Sequence, residues 1–330
     1  MKEAQTRVTI SEAIDNFLNI TLMSRSENTA RSYRNAMKSF LALLEDEGLK
    51  PDETPISTLD ESAVAWMLHK MKNYSPATEQ LYTVAVTRFF QYLMAEELAE
   101  INYQRIQLIV RTRSRKPGQR LPQFPKDDIE AVLDYALDFP KYNFDTQNDR
   151  LIAYRDAALI ITLADTGLRV HEACNLRRGD IDWNEYKAII IGKGDQQAVV
   201  RFSTRSMQAI KSYLVLRSEL DGGSGKPLRS LPIFSRHDRG AGSKILPITP
   251  TTARNVIKQR VKEVLGEEAA RFISPHSFRH YFVTNVLQGS GGNLKLAQEL
   301  ARHKNIQVTQ RYAHLSDDEL DQGYYEIFED

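Results

Sequence analysis

Two stretches of the sequence combine side chains that are unusual for a purely structural segment. They are Thr-Gly-Leu-Arg-Val-His-Glu-Ala at residues 166–173 and Ser-Pro-His-Ser-Phe-Arg-His at residues 274–280. In the first stretch, Arg169 follows a helix end and a glycine, and then begins a new helix that contains a glutamate. In the second stretch, His276 and Arg279 are three residues apart, so both side chains face the same way on a helix.

A third stretch reads Leu-Ala-Arg-His-Lys at 300–304 and continues as Thr-Gln-Arg-Tyr-Ala-His at 309–314. Taken singly, each stretch has a structural interpretation. Arg169 can cap a helix, His276 can be a surface residue with satisfied hydrogen bonds, and Tyr312 can be half-buried core. The interpretation therefore depends on the three stretches occurring together and in this order.

The first hundred residues predict a small bundle of four amphipathic helices. Thr9 and Glu12 have the spacing of a capping box at the start of the first helix. The second and third helices are expected over about 28–47 and from Asp60 onward. Residues 75–76, Ser-Pro, give the fourth helix an N-cap followed by proline at its first position. Aromatic and methionine residues lie on the apolar faces, which indicates a core and not a ligand site.

The second part of the chain combines helices with a small β-sheet. Helical periodicity occupies about 126–138, 150–166 and 204–219, and it resumes near Thr251. Two runs, at 188–191 and 198–202, flank a turn at 192–195 that contains Lys193, and they predict a hairpin. The expected fold class is therefore mainly α with a small sheet, as a helical bundle followed by an α+β domain.

Charge is distributed unevenly along the chain. Lys and Arg number 44 and Asp and Glu number 43, so the net charge is +1, which argues by itself against a nucleic-acid partner. Residues 101–120, however, carry six bases and no acid, and residues 315–330 carry seven acids and no base. Without that tail, residues 1–314 have a net charge of +8. The basic body suits contact with a phosphate backbone, with a solvated linker as the alternative interpretation of the basic run.

Several protein classes are excluded by other features. The single Cys174 cannot form an internal disulfide, and one cysteine excludes a Cys-based zinc site. Residues 165–167 spell the aspartic-protease triplet, but that chemistry needs a second carboxylate and no second triplet occurs. Residues 222–227 lack the glycine spacing of a P-loop. The sequence has no apolar run of membrane-spanning length and no signal-peptide core, so a cytoplasmic protein is expected.

In chain order, the unusual residues resemble the active-site signature of the tyrosine recombinase family, also called the phage integrase family. The signature comprises Arg169, Lys193, His276, Arg279, His303 and Tyr312. The resemblance covers essentially the whole chain and is strongest to bacterial chromosome-dimer resolvases and to phage and transposon integrases. It implies a helical DNA-binding domain over 1–111, a basic linker over 112–125, and a catalytic domain over 126–330 that ends in the acidic tail 315–330.

The sequence departs from the family pattern at one position beside this signature. Residues 301–303 read Ala-Arg-His, where relatives commonly have Leu-Gly-His. Arg302 adds a positive charge next to the site and can alter the local turn, while His303 keeps its place.

The resemblance implies that the protein cuts and rejoins DNA through a 3′-phosphotyrosyl link and a Holliday junction. Tyr312 is the implied nucleophile. Arg169 and Arg279 supply guanidinium forks, which suit the oxygens of a phosphodiester that gains charge as it becomes five-coordinate. His303 is implied as a further hydrogen-bond donor. No ATP is expected, because the phosphotyrosine conserves the energy of the broken bond. No metal or other cofactor is expected either, and the charge of the phosphate is then met by fixed donors of the protein.

The resemblance also implies residues for proton transfer, and a further residue is expected to act in orientation. His276 is the implied proton acceptor for the phenol, whose ordinary pKa is near 10. Lys193 is the implied acid that protonates the leaving 5′-oxygen, with a plain turn residue as its alternative interpretation. Glu172 is expected to orient a neighbouring side chain.

Double-stranded DNA is the expected partner. The residues expected to contact it are Arg111, Arg113, Arg115 and Lys116 of the basic run, and Thr29, Arg31 and Arg34 of the helical bundle. The basic run would supply salt-dependent affinity and not sequence choice.

The acidic tail is expected to dock on a neighbouring protomer of a homotetramer, with packing in cis as the alternative. An accessory DNA-bending or directionality protein and a bacterial, nucleoid-associated location are further expectations. Two alternatives to a site-specific recombinase stay open. One is a type IB-like topoisomerase or telomere resolvase, and the other is a non-cleaving DNA-binding protein of the same fold.

Overall fold

The computed structural model separates the chain into two units, residues 1–120 and 121–330. It describes residues 8–115, 125–138, 141–191, 197–242, 244–310 and 312. The predicted linker over 112–125 falls mostly outside these ranges, so the predicted domain boundaries stay predictions.

The first unit is built from helices, as the sequence predicts. They are α1 (Ile10–Ser24), α2 (Glu27–Asp46), α3 (Ser62–Lys70), α4 (Pro76–Ala95) and α5 (Tyr103–Arg113). The capping box of α1 is formed, since Thr9 Oγ1 accepts from the Glu12 amide and Glu12 Oε2 accepts from the Thr9 amide. The apolar faces of the helices meet in one core, in which the rings of Phe40, Phe89 and Phe90 pack edge to face and are fully buried. Burial of this aromatic core is the main stabilising term of the unit.

Helix α5 is an element that the four-helix prediction missed. Its N-cap is Asn102, and Ile106 is its one fully buried residue among the described side chains. The helix is short and three of its eleven residues are arginines, so its apolar periodicity is too weak to be recognised in the sequence. Because α5 continues to Arg113, the first two residues of the predicted linker are helical.

The second unit contains nine helices and three strands in its described part. They are α6 (Lys126–Asp138), α7 (Gln147–Thr166), α8 (Val170–Asn175), β1 (Ile181–Asp182), β2 (Lys187–Ile191), β3 (Gln197–Arg201), α9 (Thr204–Leu216), α10 (Ser218–Gly222), α11 (Pro250–Phe272), α12 (Pro275–Gly289), α13 (Leu294–Ala301) and α14 (Ile306–Gln310). Most residues of α7 are buried, and this helix packs against α6, α9 and α12. No described helix combines the length and apolar character needed to cross a bilayer.

The three strands form an antiparallel sheet in the order β1-β2-β3. Ile189 pairs with Val199, and Ile191 pairs with Gln197. The alternation of β2 turns Ile190 toward the core and leaves Ile189 and Ile191 exposed. The predicted hairpin and the mainly α fold class are confirmed, while residues 192–196 between the two strands lie outside the described part of the chain.

Two glycines set the course of the backbone around the candidate site. Gly167 ends α7 in the left-handed conformation, with φ of 58°, and a Cβ there would overlap the ring of Phe282. Glycine is therefore the residue that fits immediately before Leu168-Arg169. Gly266, with φ of 85°, interrupts α11 so that its last turns lead into Ser274, the N-cap of α12.

The described part of the segment 221–247 folds around the buried guanidinium of Arg217. The Arg217 guanidinium donates to Asp221 and to the backbone oxygens of Pro232 and Ile233, at 2.7–2.8 Å. Ile233 and Phe234 are fully buried beside it. Because these carbonyls are satisfied, the segment can pack against the core without regular secondary structure.

Candidate active site

The three informative stretches of the sequence come together in the second unit. Arg169 stands at the start of α8, and His276 and Arg279 lie in the first turns of α12. The connection after α13 carries His303, and Tyr312 follows α14. A cavity of about 250 Å³ opens beside Arg169, His276 and Arg279, and its walls are Leu168, Arg169, Val170, Arg254, Ser274, Pro275, His276 and Arg279.

Arg169 is held by a buried carboxylate. Glu172 is 5% exposed, and its Oε1 accepts a hydrogen bond of 2.8 Å from Arg169 Nη1, while its Oε2 accepts from the Arg169 amide at 2.8 Å. Burial acts to raise the pKa of Glu172, but these hydrogen bonds and the charge of Arg302 outweigh it and lower the pKa. The Arg169 side chain is still 41% exposed, so its guanidinium can also meet a ligand in the cavity.

Arg279 joins three segments of the chain. It is 3% exposed, with Nη1 donating to the carbonyl of Gly167 and Nη2 to the carbonyl of Ala301. Burial and the charges of Arg169 and Arg302 lower the pKa of Arg279 to about 9, which leaves it cationic at neutral pH. A guanidinium has five N–H donors, so donors remain for a bound anion.

Arg302, the residue at the family departure, is folded into the same cluster. Its Nη2 donates to the Gly167 carbonyl at 3.1 Å and to Glu172 Oε2 at 3.3 Å, and its side chain is 11% exposed. The sequence predicted a positive charge beside the site at this position, but it did not predict which groups this charge contacts.

Tyr312 lies against a histidine that the sequence analysis did not single out. Its hydroxyl oxygen is 3.4 Å from His280 Nε2. The ring of His280 in turn meets the ring of His276 edge to face, with centroids 4.3 Å apart. His303 stacks on Tyr312 from another side, with centroids 6.4 Å apart. The spacing of four residues between His276 and His280 was a signal for this cluster, because it places both on one helix face.

The histidines of the site are neutral at pH 7. Burial, His276 and Arg279 lower the pKa of His280 to about 4, and burial with the nearby arginines lowers the pKa of His303 to about 4. Partial desolvation and the charges of Arg279 and Arg169 also lower the pKa of His276. Neutral imidazoles can accept a proton, which fits a site in which a phenol must lose one.

We expect these histidines to make folding stability depend on pH. His280 and His303 protonate near pH 4 when folded and near 6.5 when unfolded, so the unfolded state binds more protons between these values. The free energy of unfolding should therefore fall as pH is lowered from about 6.5 to about 4. Urea titrations at pH 7, 6 and 5 measure this slope. The variants His280→Asn and His303→Asn should each reduce it, and slopes equal to that of the unsubstituted protein would contradict the pKa assignments.

Arg254 is a second residue at the site that the sequence analysis missed. It projects from α11 and lines the cavity together with Arg169 and Arg279. An arginine on a long, charged helix gave no sequence signal of its own. Within the described ranges, no group of three or more His, Cys, Asp or Glu side chains is placed to hold a metal ion.

The predicted DNA contacts of the first unit differ in their surroundings. Arg31 and Arg34 are exposed near the start of α2, where Thr29 is half-buried, and Arg111 and Arg113 are exposed near the end of α5.

Arg115, by contrast, is committed to contacts within the first unit. Its guanidinium bonds to Glu79 and to the carbonyls of Met71 and Tyr74, the last at 2.7 Å. The sequence analysis did not predict these contacts. They occupy N–H donors of Arg115 that were expected to bind phosphate. Lys116, Lys193 and the acidic tail 315–330 lie outside the described residues.

Comparison with known proteins finds similar sequences over both units. The model of the phage integrase family matches residues 126–319, and that of the phage integrase N-terminal SAM-like domain matches residues 14–97. The tyrosine recombinase XerC of Thermodesulfovibrio yellowstonii is 28% identical over 92% of this chain and 91% of its own length. The tyrosine recombinase XerD of Mycobacterium tuberculosis is 27% identical over 86% of each chain.

Solved structures share the fold. The XerH site-specific recombinase bound to its difH substrate, in a pre-cleavage complex, has a TM-score of 0.66 at 18% identity and covers 99% of both chains. The Tn1549 transposon integrase in complex with transposon right end DNA has a TM-score of 0.64 at 19% identity and covers 98% of this chain and all of its own. With both of its units matched, the chain belongs to the phage integrase family of tyrosine recombinases.

Proposed function

We propose that this protein is a site-specific DNA recombinase that cuts and rejoins DNA through a 3′-phosphotyrosyl intermediate and a Holliday junction. The observation that carries the proposal is that Arg169 and Arg279 line one cavity while Tyr312 lies close enough to Arg279 to interact with its charge, although the three come from segments far apart in the sequence. Two guanidinium groups near a phenol suit a reaction in which the phenol attacks a phosphodiester better than they suit a reaction on any other common substrate.

The scissile phosphate would bind between the arginines. Arg169 offers an exposed guanidinium, and Arg279 has donors beyond the two that bond to backbone carbonyls. Charge grows on the phosphate oxygens as the oxygen of Tyr312 approaches. Each positioned donor in such a site typically contributes about 3–4 kcal/mol of transition-state stabilisation.

The phenol would be oriented by His280 and deprotonated in the DNA complex. We assign orientation to His280, since its neutral Nε2 faces the Tyr312 hydroxyl and can accept a hydrogen bond from it. His276 lines the cavity and stays the predicted proton acceptor. The two imidazoles are in contact, so a proton that leaves Tyr312 has a route away from the new phosphodiester bond.

His303 would donate a further hydrogen bond to the phosphate. Its Nδ1 lies 2.9 Å from the hydroxyl of Thr309, which is fully buried. If this hydroxyl donates to Nδ1, the proton of the neutral ring resides on Nε2, where it can serve as a donor. Lys193 keeps its predicted role as the acid that protonates the leaving 5′-oxygen.

We further propose that the reaction needs neither metal nor ATP. Attack by Tyr312 forms a phosphotyrosine and breaks the bond to the 5′-oxygen, which leaves with a proton. A 5′-hydroxyl from the partner strand then attacks the phosphotyrosine and releases the phenol. Bonds broken and formed balance in each step, so no external energy source is required.

Covalent capture tests the proposal. The full chain is incubated with nicked fragments of genomic DNA from its source, in EDTA and without nucleotides, and DNA that survives denaturing washes is sequenced. We expect a defined cleavage site joined to protein through its 3′-phosphate. Recombination between two copies of that site would distinguish a recombinase from a topoisomerase, which relaxes plasmids, and from a telomere resolvase, which forms hairpins. Binding without any adduct would favour the non-cleaving alternative.

The partner is DNA, and the finer assignment of its contacts is a proposal. Arg111 and Arg113 are exposed and positioned to supply salt-dependent affinity, while Thr29, Arg31 and Arg34 are candidates for contacts from the helical bundle. We expect a smaller contribution from Arg115, because Glu79 already binds its guanidinium. Lys116 stays a predicted phosphate contact.

We also propose assembly into a homotetramer on DNA through the acidic tail. Tyr324, Tyr325, Ile327 and Phe328 alternate with acids in the tail, which gives it apolar anchors and a charge opposite to that of the basic body. An accessory DNA-bending or directionality protein and a cytoplasmic, nucleoid-associated location stay predictions.

Deleting residues 317–330 should impair synapsis of two sites while sparing binding to a single site. The tail carries the proposed intersubunit contacts, whereas the DNA contacts lie elsewhere in the chain. Native gel shifts with one-site and two-site DNA measure both properties. Unchanged synapsis would contradict docking in trans and would favour packing of the tail in cis.

A further inference from the structure

Arg302 has a backbone conformation that suits glycine. It is the C-cap of α13, with φ of 57° and ψ of 45°, in the left-handed region that side chains with a Cβ rarely adopt. The long side chain does not extend into solvent, since it is 11% exposed. Its Nε is buried with no hydrogen-bond partner among the described residues. Burial of this cation in an unfavourable backbone conformation costs free energy, so the hydrogen bonds of Nη1 and Nη2 must offset that cost.

Those contacts fall on both sides of Arg169. The Nη2 atom of Arg302 donates to the carbonyl of Gly167, two residues before Arg169, and to Oε2 of Glu172, three residues after it. The Nη1 atom donates to the carbonyl of Leu300 at 3.3 Å, which fixes the guanidinium to its own turn. Arg302 therefore connects the end of α13 to the short segment that carries Arg169.

Arg302 also changes the charge that Arg169 experiences. Glu172 forms an ion pair with Arg169, and this ion pair by itself would have no net charge. With Arg302 on the other carboxylate oxygen, two cations share one anion. The exposed guanidinium of Arg169 thus keeps a positive potential toward the cavity, where an anionic phosphate would bind.

We propose that Arg302 is a positioning residue for Arg169. It holds Gly167 and Glu172 in place and neutralises Glu172, so that Arg169 points its guanidinium at the scissile phosphate. This role rests on the proposed DNA cleavage and adds to it a residue outside the six-residue signature. Arg302 acts through Arg169, since its Nη1 and Nη2 atoms both donate to protein oxygens and its Nε is buried.

Replacement of Arg302 by glycine and by lysine tests this role. Arg302→Gly suits the backbone and removes the guanidinium, while Arg302→Lys keeps a charge near Glu172. The probe is a nicked duplex that carries the cleavage site recovered by covalent capture. We expect Arg302→Gly to slow single-turnover adduct formation by about 30-fold while the Kd for the same DNA changes by less than about threefold. Arg302→Lys should recover part of the rate.

A double-mutant cycle shows whether the effect passes through Arg169. In an Arg169→Lys background, Arg302→Gly should reduce the rate by less than about threefold, because the residue that it positions is already impaired. Arg271→Ala, which removes an exposed arginine at the end of α11, is the charge-matched control and should keep the rate of the unsubstituted protein. Thermal melting of each variant checks that it is folded.

The possible outcomes separate this inference from the proposed function. Unsubstituted protein that forms no adduct with any DNA overturns the proposed function itself. If that protein forms adduct, an Arg302→Gly variant of equal rate overturns the positioning role. So does a loss that is fully additive with Arg169→Lys, or a lysine variant no better than the glycine variant.

Discussion

Tyr312→Phe is expected to reduce covalent attachment to DNA to below detection while leaving DNA affinity within about threefold of the unsubstituted protein. The substitution removes the oxygen that would attack the phosphate, so no phosphotyrosine can form at this position. The ring itself is retained, and it packs against the cluster of Val283, Leu287, Ala297 and Ala301. The folded structure should therefore persist. Single-turnover assays on nicked substrate and binding assays on intact duplex measure the two properties.

Tyr135→Phe is the matched control for this result. It also removes one tyrosine hydroxyl from the second unit, where Tyr135 donates to Glu263 at 3.2 Å. This variant should form adduct at the rate of the unsubstituted protein. An adduct that persists in Tyr312→Phe would contradict the assignment of the nucleophile and would place it on another tyrosine.

Arg279→Lys is expected to slow cleavage by about 10²–10³-fold at saturating DNA. Lysine retains the charge but lacks the planar guanidinium group. That group donates to the carbonyls of Gly167 and Ala301 and has further donors for a phosphate. Because Arg279 is buried, the change should also lower the free energy of unfolding by about 1–3 kcal/mol. Single-turnover rates and urea titrations measure the two effects separately.

Arg205→Lys separates loss of stability from loss of catalysis. Arg205 makes a comparable fork to Asp165, with Nε 2.8 Å from Oδ2, in the same unit. Its replacement should lower stability without slowing cleavage by more than about threefold. If Arg279→Lys cleaves as fast as Arg205→Lys, Arg279 has a structural role and the proposed phosphate contact is wrong.

Local signals in the sequence were sufficient for most of the secondary structure. The Thr9–Glu12 capping box and the Ser75-Pro76 start are short-range patterns, and both form as predicted. Helix α5 was missed because it is short and lies within the arginine-rich run, so packing of Ile106 and not amphipathic periodicity explains it. The β2–β3 hairpin was found because two short runs rich in β-branched residues, at 188–191 and 198–202, flank a turn that contains glycine.

The candidate site was predicted only as a set of residue types in order. Their order indicated a family and hence an implied role for each residue, from Arg169 to Tyr312. It gave no contact between them. The spacing to His276 places His280 on the same helix face, but nothing in the sequence indicates its contact with Tyr312, which is 32 residues away. Arg254 stands on a long, charged helix and gave no sequence signal of its own.

The sequence by itself determined the elements of this protein, the family to which it belongs and the side chains available for catalysis. These depend on caps, turns and periodicity, which act over a few residues. Tertiary structure alone decided which groups touch, including two arginines, Arg279 and Arg302, on the single carbonyl of Gly167, more than a hundred residues earlier. Such contacts follow from how helices pack, and a backbone oxygen carries no mark in the sequence that shows which distant cation will bind it.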